Sequence, residues 1–449
     1  MMFTVRRAAD ANGFGFDPAG FSQRGNSVCY RCGTTVTSDY VKTEGKAGRM
    51  HAQMMATVCV RPGARGKVYL SPDEHDLPVP DDDAIRGRIE ALTAETGITP
   101  PEEPLPQQLT GGMCTIYGLD QFYKLFTTRQ MLTLLTFVKG VRAAHDALTA
   151  AGADPEYVKA VVTYLGLAHS RLTSIMSTQS RWRGSEGERV VGAFARQAIP
   201  MVWDFAELMP FNSVFTSWNY YVSVACDAIE NLRRITACAV VARGSATELP
   251  SLIPRVDAVV TDPPYYDNIS YADLSDYFYV WLKKILGNLY PEHLSTEITP
   301  KKKEAIAASY RHSDDRDARE FYEGMMLESF TQANTRLRQS GRLVTVYAHK
   351  TTAGWSTLVD SLRHAGFELN EAWPIDTELA GRAVAQDTAA LASSFFLVAR
   401  KREDAGIGIF TDDVQPDMRR IVKERVGFFL ERKITGADLN IAAVGAGLA

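Results

Sequence analysis

The chain has 449 residues, of which 45% are hydrophobic and 23% charged, a composition that excludes a wholly disordered or fibrous protein. Its 49 Lys and Arg stand against 53 Asp and Glu, a formal net charge of −4, so it does not coat nucleic acid through bulk charge, and any such contact needs a local basic groove. Six cysteines are too few for a disulfide scaffold and fit a reducing, cytoplasmic setting, and no run of about 18 apolar residues marks a membrane span.

Residues 1–75 read as irregular. Cys29 and Cys32 are the one closely spaced cysteine pair and lie in NSVCYRCGTTVT, a turn followed by Gly33. Two alternating runs, MMATVCV and GKVYL, flank a Pro-Gly break and predict a β-hairpin. A CxxC turn beside a hairpin is the plan of a small zinc ribbon, with Cys29 and Cys32 as its metal ligands. Structural zinc takes four ligands, however, and only one pair is present, so the module reads as partial. Cys59 reads as core, and His51 is a poorly spaced candidate ligand.

Residues 76–112 are acidic and proline-rich, a linker with one short helix from about Ala84 to Thr96. Residues 113–198 turn helical: Phe122, Leu125, Phe126, Met131, Leu132, Leu134, Leu135 and Val138 recur at three- and four-residue spacing. A second helix runs from Asp154 to Met176, and the short connection predicts an antiparallel pair. Residues 199–405 alternate helices with strands. A helix from Trp218 to Ile235 leads to a strand at Cys238–Val241, a buried strand at Val256–Val260 and another within Gly341–Lys350. Next come a helix from Thr351 or Thr352 to Gly366 and the strands FELNEAWPI and SSFFLVARK. This alternation predicts an α/β domain with a largely parallel sheet. Residues 406–449 read as a helical extension with a break near Thr435 and Gly436.

The strongest chemical signal is Asp262-Pro263-Pro264-Tyr265, directly after the strand Val256–Val260. Ligands of open α/β sheets collect outside the carboxyl ends of strands. The four residues suit methylation of an exocyclic amine, whose lone pair is delocalised into its ring. Asp262 and the Pro263 carbonyl can accept hydrogen bonds from the NH₂ group and orient the lone pair toward a methyl donor. The prolines fix the backbone and remove N–H donors. Tyr265 can stack on an extruded base, and Tyr266 and Asp267 follow as substrate contacts. The bland alternative is a Pro-rich turn after a strand. A weaker signal is Gly244-Ser245-Ala246 after Cys238–Val241; in a Rossmann-like methyltransferase such a loop touches the cofactor's adenine, although a plain turn reads equally well.

Other features are blander. Lys301-Lys302-Lys303 reads as a solvated loop, and Arg181-Trp182-Arg183 as a surface helix end, though cation and aromatic together suit an unstacked nucleic-acid strand. His349 and Lys350 end a strand beside the site. Trp203, Trp218 and Trp355 read as core.

With AIPMVWDFAELMPFN, VDAVVTDPPYYDNISYADLSDYFYVWLKK, LASSFFLVARKR and TIYGLDQFYKLFTTRQMLTL, the chain resembles the adenine-specific DNA methylases that contain a Zn-ribbon module. The resemblance covers nearly the whole chain. It implies S-adenosyl-L-methionine-dependent N6-adenine methylation of DNA by base flipping, in a restriction or phage-defence setting. Asp262, Pro263, Pro264 and Tyr265 would be the catalytic tetrad, with Ser245 and Ala246 at the cofactor-adenine loop. The implied fold is α/β, a Rossmann-like methyltransferase sheet with a helical insertion and a small partial zinc-ribbon module.

The chain departs from that family in lacking a Gly-rich FxGxG loop, which lets the backbone approach the methionine part of the cofactor. Gly13-Phe14-Gly15-Phe16-Asp17 reads as a turn, and Val444-Gly445-Ala446-Gly447 has nothing after it to complete a βαβ unit. The expectation is therefore an incomplete sheet lacking its first strands. Either the chain is a fragment, or a second polypeptide supplies the Gly-rich loop and a second CxxC. N4-cytosine or RNA methylation is the alternative within enzymes. A non-catalytic DNA-binding or scaffold subunit is the alternative outside them.

Overall fold

The computed structural model describes residues 22–23, 25–29, 32–61, 63, 66–184, 187–194, 197–211, 216–237, 239–250, 254–267, 269–347, 352–376, 393–403, 409–432, 439, 443 and 447. The chain divides into two units. The first comprises residues 1–237 and 271–301, the second residues 238–270 and 302–449. Residues 199–237 and the helix that follows Ser270 fall in the first unit, and the four-stranded sheet falls in the second.

In the first unit, β1 (Ser22–Gln23), β2 (Asn26–Val28) and β3 (Thr35–Val36) form a small antiparallel sheet. Helix α1 (Ser38–Lys46) follows, capped by Thr37, whose hydroxyl accepts from the Tyr40 N–H. The predicted hairpin is present as β4 (Thr57–Val60) and β5 (Lys67–Leu70). After the short α2 (Pro72–His75) come α3 (Asp82–Thr96), α4 (Thr128–Ala150) and α5 (Pro155–Ile175). Thr127 and Gln130 form a reciprocal capping box that satisfies two orphan donors at the start of α4.

Arg181–Arg183 is a strand, β6, paired antiparallel with β7 (Arg189–Val191), and not a helix end. Its side chains alternate exposed, half-buried, exposed, the period of a strand with one face packed. The remaining helices of this unit are α6 (Trp218–Leu232), α7 (Tyr271–Leu286) and α8 (Pro291–Leu294). Leu134, Leu135 and Val138 of α4 share one core with Val162 and Leu172 of α5 and Tyr277 and Trp281 of α7. The Tyr277 hydroxyl satisfies itself inside that core by donating to the Thr173 carbonyl at 2.8 Å. Trp218 stacks on Phe137, but Trp203, expected in the core, is 58% exposed and pairs edge-to-face with Tyr117.

The second unit holds a four-stranded sheet, in the spatial order β10 (Phe367–Asp376), β11 (Ser393–Lys401), β9 (Leu337–Tyr347), β8 (Val256–Thr261). Only β8 and β9 are parallel; β11 runs antiparallel to both its neighbours. The sheet is therefore mixed rather than largely parallel, because the last two strands pair directly with each other. The expected strand at Cys238–Val241 is not formed: Ala239, Val240 and Val241 have no strand pairing and lie exposed, and Cys238 is outside the described residues.

Helices α9 (Asp315–Arg336) and α10 (Thr352–His364) pack on one face of this sheet, and α11 (Gln415–Glu431) adds Phe429 to the same core. The stripe Ala318, Tyr322, Met326, Phe330, Ala333 on α9 is buried at helical spacing. Its members from Tyr322 to Ala333 share one core with Leu343, Tyr347, Phe395 and Leu397 of the sheet and Trp355 and Leu358 of α10. The opposite face is less covered: Val344 and Val346 of β9 are half-buried, and Val260 of β8 is 71% exposed. Among the described residues β8, expected as a buried strand, is an edge strand with no fully buried residue, because it has a partner strand on one side only. No described helix is long and apolar enough to cross a membrane.

Candidate functional site

Strand β8 delivers Thr261 into register with buried Thr345 of β9 and then releases the chain into Asp262-Pro263-Pro264-Tyr265, beyond its carboxyl end. Pro263 is buried, whereas the Asp262 carboxylate is exposed. The Tyr265 hydroxyl donates to Asp262 Oδ1 at 2.7 Å, which fixes the carboxylate and leaves Oδ2 without a hydrogen-bond partner among the described residues.

The loop is braced from two sides. Tyr322 of α9 donates its hydroxyl to the Pro264 carbonyl at 2.7 Å. The Tyr265 ring meets Tyr347 edge-on, with centroids 5.4 Å apart, and Tyr347 meets Trp355, which meets Phe395, in the same manner at 5.3 and 5.5 Å. Such edge-to-face pairs add about 0.5–1.5 kcal/mol each beyond their burial. Burial pushes the Tyr322 phenol up to about 12 and the Tyr347 phenol higher, so both stay neutral donors.

Tyr266 sits at φ +61°, a left-handed conformation uncommon for a bulky side chain. Its N–H donates to the Pro264 carbonyl at 3.2 Å and its carbonyl accepts from the Ala307 N–H at 3.1 Å, contacts that hold the backbone there. Its hydroxyl accepts from Arg319 Nε of α9 at 2.8 Å, and its ring meets Tyr322 edge-on. Tyr266 and Asp267 line a cavity of about 780 Å³ whose other walls include Arg319, Glu323, Thr357, Asp360 and His364. Arg319, Tyr322 and Glu323 therefore belong to this site. No local motif marks them in the sequence, since Arg319 and Tyr322 meet the loop through contacts more than 50 residues apart in the chain.

The Ser245–Ala246 turn lies in the same unit. Ser245 Oγ is 2.7 Å from Thr247 Oγ1 and accepts from the Thr247 N–H at 3.2 Å, and the Ser245 carbonyl accepts from the Glu248 N–H. The hydroxyl is thus engaged inside its own turn, and Ala246 is exposed. The described residues form no glycine cradle beside it for the methionine part of a nucleotide cofactor; Gly13–Asp17 and Val444–Ala446 lie outside them.

Cys29 and Cys32 do form a tight turn. The Gly33 N–H donates to the Cys29 carbonyl at 2.8 Å, with Gly33 at φ +70°, and the Cys29 N–H donates to the Thr34 carbonyl. Hydrogen bonding with Thr34, then with Cys29, holds the Cys32 thiol below its usual range. No group of three or more metal-ligating side chains occurs among the described residues, and Cys59 lies on β4 of a separate hairpin. Two thiols do not meet the four-ligand requirement of structural zinc, so the described residues do not fit that metal.

Lys301, expected in a solvated loop, is instead half-buried and paired. Its ammonium lies 2.7 Å from the fully buried Asp276 carboxylate and 3.8 Å from Asp273, a fixed pairing inside the first unit. Lys303 lies 3.8 Å from Glu248 in the open. His349 and Lys350 are outside the described residues.

No protein-family model matches the chain, and no curated protein matches it. Among solved structures, the chain is similar to one described provisionally as a DNA modification methylase from Thermus thermophilus, at 15% identity and a TM-score of 0.20. The match covers 41% of this chain, which spans 61% of the length of that structure. So distant a likeness carries no argument about activity.

Proposed function

We propose that the chain carries the target-amine site of an S-adenosyl-L-methionine-dependent DNA N6-adenine methyltransferase. The observation that supports this reading is the exposed Asp262 carboxylate at the carboxyl end of β8, with Tyr265 on Oδ1 and the loop pinned through the Pro264 carbonyl. An extruded adenine would give one N–H of its amine to Asp262, drawing the lone pair out of conjugation and aiming it away from the carboxylate. Tyr265 would supply the ring face on which the base stacks, and Tyr266 and Asp267 would line the space beside it.

A second polypeptide completes the cofactor side in this proposal. The described residues offer no cradle for the methionine part and no second partner strand for β8, and Val260 on that strand is exposed, features that favour strand addition. That polypeptide would bring the Gly-rich loop and, with it, the second CxxC that Cys29 and Cys32 lack.

The same observation favours a second reading, a non-catalytic DNA-binding subunit in which the Asp262 loop persists without a cofactor. Calorimetry with S-adenosyl-L-methionine separates the two. Binding by the chain together with its partner polypeptide supports the enzyme, and no binding by that pair supports the subunit.

A further inference from the structure

We infer that the hairpin β6–β7 is a docking face for the DNA phosphate backbone, an inference that rests on DNA being the substrate. Residues two apart on a strand share a face, and directly paired residues of antiparallel strands share it too. Arg181 and Arg183 are two apart on β6, and Arg183 pairs directly with Arg189 on β7, so the three guanidinium groups project from one side. All three residues are exposed. The other side carries Trp182 and its cross-strand partner Val190, which is buried in the core of the first unit.

Trp182 is consequently an anchor and not a stacking platform. Its indole N–H donates to the Tyr69 hydroxyl at 3.2 Å, its ring meets Tyr69 edge-on, and Lys67 sits 5.7 Å above it. The Tyr69 hydroxyl in turn donates to Glu188 at the hairpin turn, at 2.6 Å. The two hairpins thus buttress each other and hold the arginine face rigid. Three exposed guanidinium groups on one side of a two-stranded ribbon suit the regularly spaced phosphates of a nucleic-acid backbone. A protein of net charge −4 needs a concentrated basic surface of this kind to meet DNA.

The test is fluorescence anisotropy of a labelled DNA duplex and a labelled single strand against the full chain across a salt series. The chain with Arg181→Gln, Arg183→Gln and Arg189→Gln is compared with a charge-matched control carrying Arg86→Gln, Arg316→Gln and Arg420→Gln. Each lost phosphate contact lowers the slope of log affinity against log salt by about 0.9 for duplex and about 0.7 for a single strand. The hairpin variant is expected to bind more weakly with a shallower slope, and the control to match the unaltered chain. Equal affinity and slope for all three overturn the inference, as does failure of the unaltered chain to bind either probe. Binding is read without methyl transfer: an Asp262→Ala chain that binds DNA normally but transfers no methyl leaves the hairpin assignment standing, and a hairpin variant that binds normally sinks it whatever the activity.

Discussion

Tyr322 Oη donates to the main-chain oxygen of Pro264 at 2.7 Å, joining α9 to the loop that presents Asp262. Because burial keeps the phenol neutral, this bond persists across the physiological pH range. The aspartate itself is exposed, and its loop is held at Pro264 by a buried residue 58 positions further along the chain.

Removing that hydroxyl with Tyr322→Phe leaves the Pro264 carbonyl with only the Tyr266 N–H, at 3.2 Å, as a donor among the described residues. The expected cost is about 0.5–1.5 kcal/mol of stability, the usual net worth of one hydrogen bond. Urea unfolding of the variant measures it, and an unchanged midpoint would show that the bond does not hold the loop.

Gly341 lies on β9 where a side chain has no room. A Cβ built there would be 2.6 Å from Leu337 Cδ1 and 2.8 Å from the Asp257 carbonyl oxygen of β8. Gly341→Ala is expected to destabilise the second unit by about 1–3 kcal/mol by forcing β8 and β9 apart. A lowered thermal midpoint with weaker protection of β8 amides in hydrogen exchange is the signature.

Thr345, in register with Thr261, is fully buried, and its hydroxyl has no hydrogen-bond partner among the described residues. Thr345→Val replaces the hydroxyl with a methyl group of similar size. Stability is expected to hold or rise by about 1 kcal/mol; a loss of that size in urea unfolding would mean the hydroxyl has a partner.

His169 is buried in the first unit, with Nε2 3.1 Å from the Leu134 carbonyl. Burial lowers its pKa from 6.5 to about 4. The unfolded chain binds a proton as pH falls below 6.5, whereas the folded imidazole stays neutral until about pH 4. The stability contributed is therefore present above pH 6.5 and is lost as pH falls through that window, by about 3 kcal/mol in all. Urea midpoints measured across these pH values should fall accordingly, and His169→Gln should flatten the decline between them.

Much of this architecture was legible in the residues, for identifiable reasons. The strand β8, the hairpin β4–β5, the helices α5 and α10 and the strands β10 and β11 all follow from apolar periodicity and flanking breakers. Strand direction does not follow from such patterns, so the mixed sheet was missed: nothing in FELNEAWPI or SSFFLVARK states that they pair with each other. The apolar run at Cys238–Val241 has strand composition but finds no pairing partner among the described residues. At Arg181–Arg183 the alternation is only three residues long, too short to separate a strand from a helix end. In the site, Asp262 to Tyr265 stood out because their chemistry is local. Tyr322, Tyr347 and Arg319 did not, because each reaches the loop only through tertiary contact.

The central claim is that Asp262 receives an adenine amine for methylation. It is tested most directly by radiolabelled methyl transfer from S-adenosyl-L-methionine to DNA, by the chain with its partner polypeptide, scored as N6-methyladenine after digestion. Incorporation that Asp262→Ala lowers by about 100-fold or more is the expected result. Incorporation that this substitution leaves unchanged would contradict the account.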